Sequence, residues 1–280
     1  MFASHALICR IADAPALAGL PVSRIVGMSS QALLAPPAVF QLAPPYDRFE
    51  VVPDLAACQP DALPDGVVLA VGLGPQHESW NDVVAVVPEL RARFPAAPVV
   101  LRAGQPGDEG DWLARAGELR VRGVLFDVEP PAPRLRSILT DASALPEQIQ
   151  EWLSLRVPGL PPAVTRLIRE ILDRSPRFGE VGPLLGSIGH AERTTRTWFR
   201  HAGVPGPGKW LAAAHAVRAA LRLQAEETSP LLTLAVECGY SDHSSLSRQS
   251  LRLFGVRPGV IRRMLGWEWL LDRWLRRASV

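Results

Sequence analysis

The sequence predicts an α/β N-terminal domain built on a parallel sheet, followed by an all-α C-terminal domain. Three observations predict it. Short β-branched apolar runs alternate with helically spaced ones between residues 49 and 140. Beyond residue 158 the pattern is helical, without a strand signal of comparable strength. The two halves also differ in charge: residues 1–150 carry 11 Arg against 17 Asp and Glu, and residues 151–280 carry 19 Lys and Arg against 11. A basic half joined to an acidic half fits nucleic-acid binding plus a separate sensing or partner domain.

The elements follow in order. Residues 1–48 are rich in Pro and Ala; residues 5–11 are a candidate strand, and Pro36-Pro37 and Pro44-Pro45 mark turns. Residues 49–52 form a short apolar run, and residues 54–63 a candidate helix. The run GVVLAVGL at 66–73 is a buried-strand candidate. Residues 80–94 have helical spacing at Val83, Val84, Val87, Leu90 and Phe94, interrupted by Pro88. PVVL at 98–101 is a second strand, 111–120 a helix, GVLFDV at 123–128 a third strand, and a helix begins at 134–139. Residues 144–156 are a candidate helix for coupling the domains or pairing with a second subunit, and PGLPP at 158–162 is a linker. The expected domains are residues 1–157, for sensing or dimerisation, and residues 158–280.

This strand–helix order resembles the second half of a flavodoxin-like receiver domain. A receiver accepts phosphate on an Asp at the end of its central strand, whereas here that strand ends Val71-Gly72-Leu73-Gly74. Where a receiver carries Lys-Pro after its last strand, this chain has Glu129-Pro130, of the wrong sign. The resemblance therefore implies a receiver-like domain without phosphoacceptor chemistry.

Composition excludes other classes. No run approaches the roughly 18 apolar residues that span a bilayer, and the N-terminus lacks a basic-then-apolar leader pattern. These predict a soluble cytoplasmic protein with no membrane partner. Cys9, Cys58 and Cys238 are odd in number and far apart, which argues against a disulfide framework or a zinc site. Gly72-x-Gly74 lacks the third glycine and the downstream acid of a dinucleotide site, and GQPGDEG at 104–110 lacks the Lys-Ser/Thr of a phosphate loop. Ser29-Ser30 sits in no nucleophile elbow, and the six His are scattered. No enzyme and no cofactor are expected.

The strongest segment is 230–262. Leu231, Leu234, Ala235 and Cys238 make one face of a short helix, and Gly239 supplies the turn. Tyr240 packs inward, and Ser241 and Asp242 are N-cap types for a second helix. On that helix Leu246, Leu253 and Phe254 share a face, opposite Ser241, Ser244, Ser245, Arg248 and Arg252, and Gly255 and Pro258 stop it. A short helix, a tight turn and a second helix with a polar, basic outer face predict a helix-turn-helix whose second helix fits a major groove.

The run Ala235-x-x-Cys238-Gly239-Tyr240-Ser241-Asp242-x-Ser244-x-Leu246-Ser247-Arg248, followed by Phe254-Gly255-Val256-x-Pro258 and Arg262, resembles the second helix-turn-helix of AraC/XylS-type regulators. Leu246 and Ser250 stand where that family usually has aromatics. The resemblance implies an upstream first unit and a long connecting helix. Residues 184–199 with His201-Ala202-Gly203 fit the first unit, with Ala191 where the family tends to have a capping Ser and Thr195 where it tends to have Leu, while Phe199 matches. Residues 210–223 are similar to the connecting helix, with His215 where Arg is common and the preceding loop, PGPGK at 205–209, one residue longer than usual.

What the resemblance implies is a sequence-specific transcription regulator whose two helices read successive major grooves of double-stranded DNA. Candidate contact residues are Ser241, Asp242, His243, Ser244, Ser245, Arg248 and Arg252 in the second unit. In the first they are Glu192, Arg193, Thr194, Arg196 and Arg200. RNA polymerase and a second copy of the chain are further candidate partners, and no small-molecule effector is identified. The competing expectation is a protein-interaction regulator whose helix-turn-helix fold has lost specific DNA binding. It is motivated by the weaker first unit and the net charge of only +2. The tail is amphipathic, with Trp267, Leu270, Leu271, Trp274 and Leu275 along one stripe, and docks on its own domain, on the N-terminal domain or on a second subunit.

Overall fold

The computed structural model describes residues 5–10, 24–29, 49–52, 68–73, 80–103, 109–126 and 131–278. The chain forms two compact units, one of Met1–Leu139 with Met264–Trp269, the other of Thr140–Arg263 with Leu270–Val280. The stretch at 158–162 is the turn between two helices of the second unit rather than a break in compactness.

The first unit carries β1 (His5–Arg10), β2 (Arg24–Ser29), β3 (Phe49–Val52), β4 (Val68–Leu73), α1 (Trp80–Arg93), β5 (Val99–Ala103), α2 (Glu109–Glu118), β6 (Val124–Phe126) and α3 (Pro131–Thr140). These strands form one sheet in the order β3-β1-β2-β4-β5-β6. The run β2-β4-β5-β6 is parallel, but β1 is antiparallel to both β2 and β3. The parallel sheet expected from the sequence is present as β2-β4-β5-β6, and the flavodoxin-like expectation is corrected in that β1 and β3 extend it through antiparallel pairing. An apolar run records that a strand is buried and not which way it points, and antiparallel neighbours need no helical crossover. The candidate helix at 54–63, the turns at 36–37 and 44–45, and the Gly74, Glu129 and Pro130 positions lie outside the described residues.

Consecutive residues of β5 and β6 are buried, Val99, Val100 and Leu101 at 3% or less and Val124, Leu125 and Phe126 at 2% or less, as expected of strands covered on both faces. α1 runs through Pro88, which is exposed, so its missing N–H and its ring fall on the solvent side. Val87, Leu90 and Phe94 face the core. The returning segment Met264–Trp269 contributes Glu268, which faces Arg122 at 3.6 Å with both side chains 6% exposed. The same guanidinium donates to the Leu139 carbonyl at 2.9 Å and lies over the Trp267 ring.

The second unit is helical: α4 (Leu145–Arg156), α5 (Pro162–Arg174), a 3₁₀ turn (Ser175–Arg177), α6 (Val181–Ser187), α7 (Glu192–His201), α8 (Pro207–Ala225), α9 (Leu231–Glu237), α10 (His243–Phe254) and α11 (Pro258–Arg263), with α12 (Glu268–Ala278) entering it at Leu270. Pro162 opens α5 at a position whose N–H is unpaired in any helix. α8 is the centre of packing. Trp210, Leu211, Ala213, Ala214, Ala216, Val217, Ala219, Ala220, Leu221 and Leu223 are buried, and the alanines let neighbouring helices come close. Trp274 of α12 meets Trp210 edge-on, ring centroids 4.7 Å apart. Asp272, 5% exposed, is held by Arg156 and Arg276, each at 2.6 Å. The C-terminal tail therefore serves both units, Met264–Trp269 the first and the rest the second. Among the described residues no helix is long and apolar enough to cross a membrane, and no cluster of His, Cys, Asp or Glu could hold a metal ion.

Candidate nucleic-acid interface

The helical unit contains the same local device twice. α6 and α7 are joined through Gly189, and α9 and α10 through Gly239, with φ of 75° and 82°. At the first turn Gly189 N–H donates to the Gly186 carbonyl (3.1 Å) and His190 N–H to that of Leu185 (2.9 Å). At the second Gly239 N–H donates to Val236 (3.0 Å) and Tyr240 N–H to Ala235 (2.9 Å). Both are complete Schellman closures, which satisfy the last carbonyls of a short helix and turn the chain sharply into the next. A Cβ built on Gly239 meets nothing within 4 Å, so its requirement is purely conformational. Gly239→Ala is expected to cost about 1–2 kcal/mol, the penalty for a side chain in the left-handed region, measured by urea unfolding. No loss would mean that the turn relaxes without glycine.

The second helix of each pair is anchored by two side chains one turn apart. α10 buries Leu246 and Ser250, then Leu253 and Phe254; α7 buries Thr195 and Phe199. The two hydroxyls replace apolar bulk without stranding a polar group, because Ser250 Oγ donates to the Leu246 carbonyl (2.9 Å) and Thr195 Oγ1 to that of Ala191 (3.0 Å). Phe199 is fully buried and Tyr240 half-buried. Burial pushes the Tyr240 phenol up to about 12. Arg262 closes the domain by donating to the carbonyls of Glu227 (3.1 Å) and Ser229 (2.8 Å), which fixes the loop between α8 and α9.

Asp242 is the N-cap of α10. Its carboxylate accepts the Ser245 N–H (2.8 Å), the Ser245 hydroxyl (3.1 Å) and the Ser241 hydroxyl (2.9 Å). The Ser245 amide first and the Ser241 hydroxyl second hold this carboxyl down to about 2. Its folded value lies below its ordinary one of about 3.9. The stabilisation is therefore complete above about pH 4 and is lost as pH falls towards 2. Acid unfolding of Asp242→Asn against the natural chain is expected to show a stability gap that is constant above pH 4 and narrows below it; a gap independent of pH would remove the charge from the account.

Around the cap the serines form a hydrogen-bonded ladder. Ser241 Oγ lies 2.9 Å from Ser245 Oγ, and Arg248 donates to Ser245 Oγ at 3.1 Å. Ser244 Oγ lies 3.5 Å from His243 Nε2, and Arg252 donates to Gln249 at 2.6 Å. His243, Ser244, Arg248 and Arg252 are exposed. On α7, Arg193, Thr194, Arg196 and Arg200 are exposed and Glu192 is half-buried. Glu192, Arg193, Arg196 and Arg200 line one groove together with Thr197. Arg196 is paired with Glu192, whereas the side chains of Arg193 and Arg200 make no ion pair or hydrogen bond among the described residues. Thr197, at i+4 from Arg193 and i−3 from Arg200, shares their face and was not singled out from sequence, nor was the exposed Trp198, which meets His190 edge-on and lies on another face.

No family model and no curated protein matches this chain. Among solved structures it is similar to that of a xylose-binding transcription activator, xylR, at a TM-score of 0.34 and 13% identity, over 70% of this chain and 61% of that one. It is also similar to the transcriptional regulator CdpR from Pseudomonas aeruginosa, at a TM-score of 0.31 and 19% identity, over 64% of this chain and 59% of that one. The chain thus spans about three fifths of the length of each.

Proposed function

We propose that this chain is a sequence-specific, double-stranded-DNA-binding transcription regulator of the AraC/XylS type, whose residues 1–157 sense a signal or dimerise. The observation that carries the reading is the repeated short helix, Schellman turn and longer helix, with α7 and α10 each presenting an exposed basic face. α7 and α10 enter successive major grooves, and Asp242, by capping α10, presents His243, Ser244 and Arg248 to base edges. RNA polymerase and a second copy of the chain are its further partners. With no phosphoacceptor carboxylate at the end of its central strand, the first unit receives its signal by binding.

A second reading, a protein-interaction regulator without specific DNA binding, is favoured by one observation: Leu232 and Val236 stand 53% and 56% exposed on α9, four residues apart on one face. Selection of bound fragments from genomic DNA, followed by mobility shifts at two salt concentrations, decides between the readings. A discrete motif, bound more weakly at higher salt, is the expected result. No enriched motif and no salt-sensitive shift would overturn the DNA-binding reading.

A further inference from the structure

An open cleft of about 720 Å³ lies where the 3₁₀ turn, α8 and the α9–α10 turn meet. Three arginines and a histidine line it (Arg177, His215, Arg218 and Arg222), against a single carboxylate, that of Glu237. His215, Arg218 and Arg222 are at i, i+3 and i+7, one stripe of α8. Arg218 is the unusual member. It is half-buried, with Nε on Ser175 Oγ (3.1 Å) and Nη2 on the Leu172 carbonyl (3.0 Å), and among the described residues no carboxylate lies within ion-pair distance. Burial accordingly lowers its pKa, with only a weak opposing pull from Asp173. Two of its five N–H donors are used, leaving donors for an incoming acceptor. His215 Nε2 is taken up by the Ser175 carbonyl at 2.8 Å.

The other cations are accessible. Arg177 is exposed and its side chain makes no hydrogen bond or ion pair among the described residues. Arg222 is exposed and shared between Glu226 at 2.7 Å and Glu237 at 3.4 Å, so a stronger acceptor can compete for it. Three guanidinium forks that converge on one cleft and outnumber its lining carboxylate suit a phosphate, which accepts several N–H donors at once. The cleft is open and its lining mixes charged with apolar side chains, unlike the enclosed, mostly apolar sites that hold small organic ligands. It is also flanked by both helix pairs: Arg177 lies four residues before α6, and Cys238 and Gly239, in the turn of the second pair, line its edge.

We propose that this cleft binds a phosphate-class anion, supplied by the sugar–phosphate backbone of a duplex engaged by α7 and α10. The source of the anion rests on the DNA-binding reading above; the anion site itself does not. The test has two arms, run on the full chain, on Arg177→Gln/Arg222→Gln and on the control Arg166→Gln, which changes an exposed arginine outside the cleft. Both cleft substitutions are at exposed positions, and circular dichroism checks that the variants fold.

In the first arm, duplex binding is followed by fluorescence anisotropy across a salt series. The double variant is expected to lower the slope of log K against log salt by about 2, at about 0.9 for each phosphate no longer neutralised, with Arg166→Gln unchanged. In the second arm, inorganic pyrophosphate is titrated without DNA and the melting temperature is read. A lowered slope without a pyrophosphate effect supports the backbone as the source. An unchanged slope, with a pyrophosphate-induced rise in melting temperature that the double variant abolishes, overturns the backbone as the source in favour of a free anion. An unchanged slope with no such rise overturns the anion site. If the natural chain binds no duplex at all, the DNA-binding reading fails and the pyrophosphate arm alone upholds or overturns the site.

Discussion

Trp210→Ala is expected to destabilise the helical unit by about 3–5 kcal/mol, the range for removing a large aromatic from a packed core. Trp210 is 0% exposed, sits in the first turns of the helix that touches most of that unit, and meets Trp274 edge-on at 4.7 Å. Truncation removes both the burial and the aromatic pair, and the neighbouring alanines are too small to fill the cavity. The indole N–H contributes nothing to hold, since Nε1 has no hydrogen-bond partner among the described residues. Trp210→Phe should therefore lose much less than Trp210→Ala, because it keeps an aromatic ring and removes an unpaired donor. Urea unfolding followed by circular dichroism compares the two. Equal losses would show that the N–H is satisfied after all, and a loss below about 1 kcal/mol for Ala would show that α8 is not the packing centre.

The two candidate recognition helices are expected to fail differently when their arginines are removed. Arg193 and Arg200 are exposed and unpaired on α7 among the described residues, the condition for point contacts with phosphate. Arg193→Ala/Arg200→Ala should weaken binding to all sequences alike and lower the salt slope by about 2. Arg248 differs in being held by Ser245, itself bonded to the cap carboxylate, so its direction is set by the helix N-terminus. A pre-oriented guanidinium suits a base edge, and Arg248→Ala should cost about 1–3 kcal/mol on the preferred sequence and far less on unrelated DNA. Anisotropy titrations on both duplex types separate the cases. If Arg248→Ala weakened both duplexes equally, Arg248 would be a phosphate contact.

Sequence reasoning reaches the second helix pair because its signals are local. Gly239 and Gly255 both have positive φ, Asp242 caps, and Leu246, Leu253 and Phe254 are buried, each dictated by residues within a turn or two. The cap itself is read from the residue types, Ser241 and Asp242, and the structure adds its partners, the Ser245 amide and two hydroxyls on the Asp242 carboxylate. Ser250 and Thr195 look like packing defects in the sequence, and their hydroxyls bond the preceding turn instead. β2 escapes the sequence pattern because Arg24–Ser29 is short and lies in a Pro- and Ala-rich stretch without a clear period. Strand direction escapes it because pairing sense depends on partners far along the chain. The arginine stripe of α8 is equally silent, because an Arg on a helix is ordinary until the fold shows what else lines the cleft it faces.

The return of Met264–Trp269 to the first unit matters for anyone dividing the protein. A fragment ending at Leu139 loses Glu268, which faces the almost fully covered Arg122 guanidinium, and the Trp267 ring that lies against it. A fragment starting at Thr140 keeps that stretch, but with Trp267 and Glu268 cut off from the surfaces that cover them. Neither half is a clean module. A stop codon or protease nick just after Arg263 would take a segment from both units, so a property lost in such a truncation would not be located in either half.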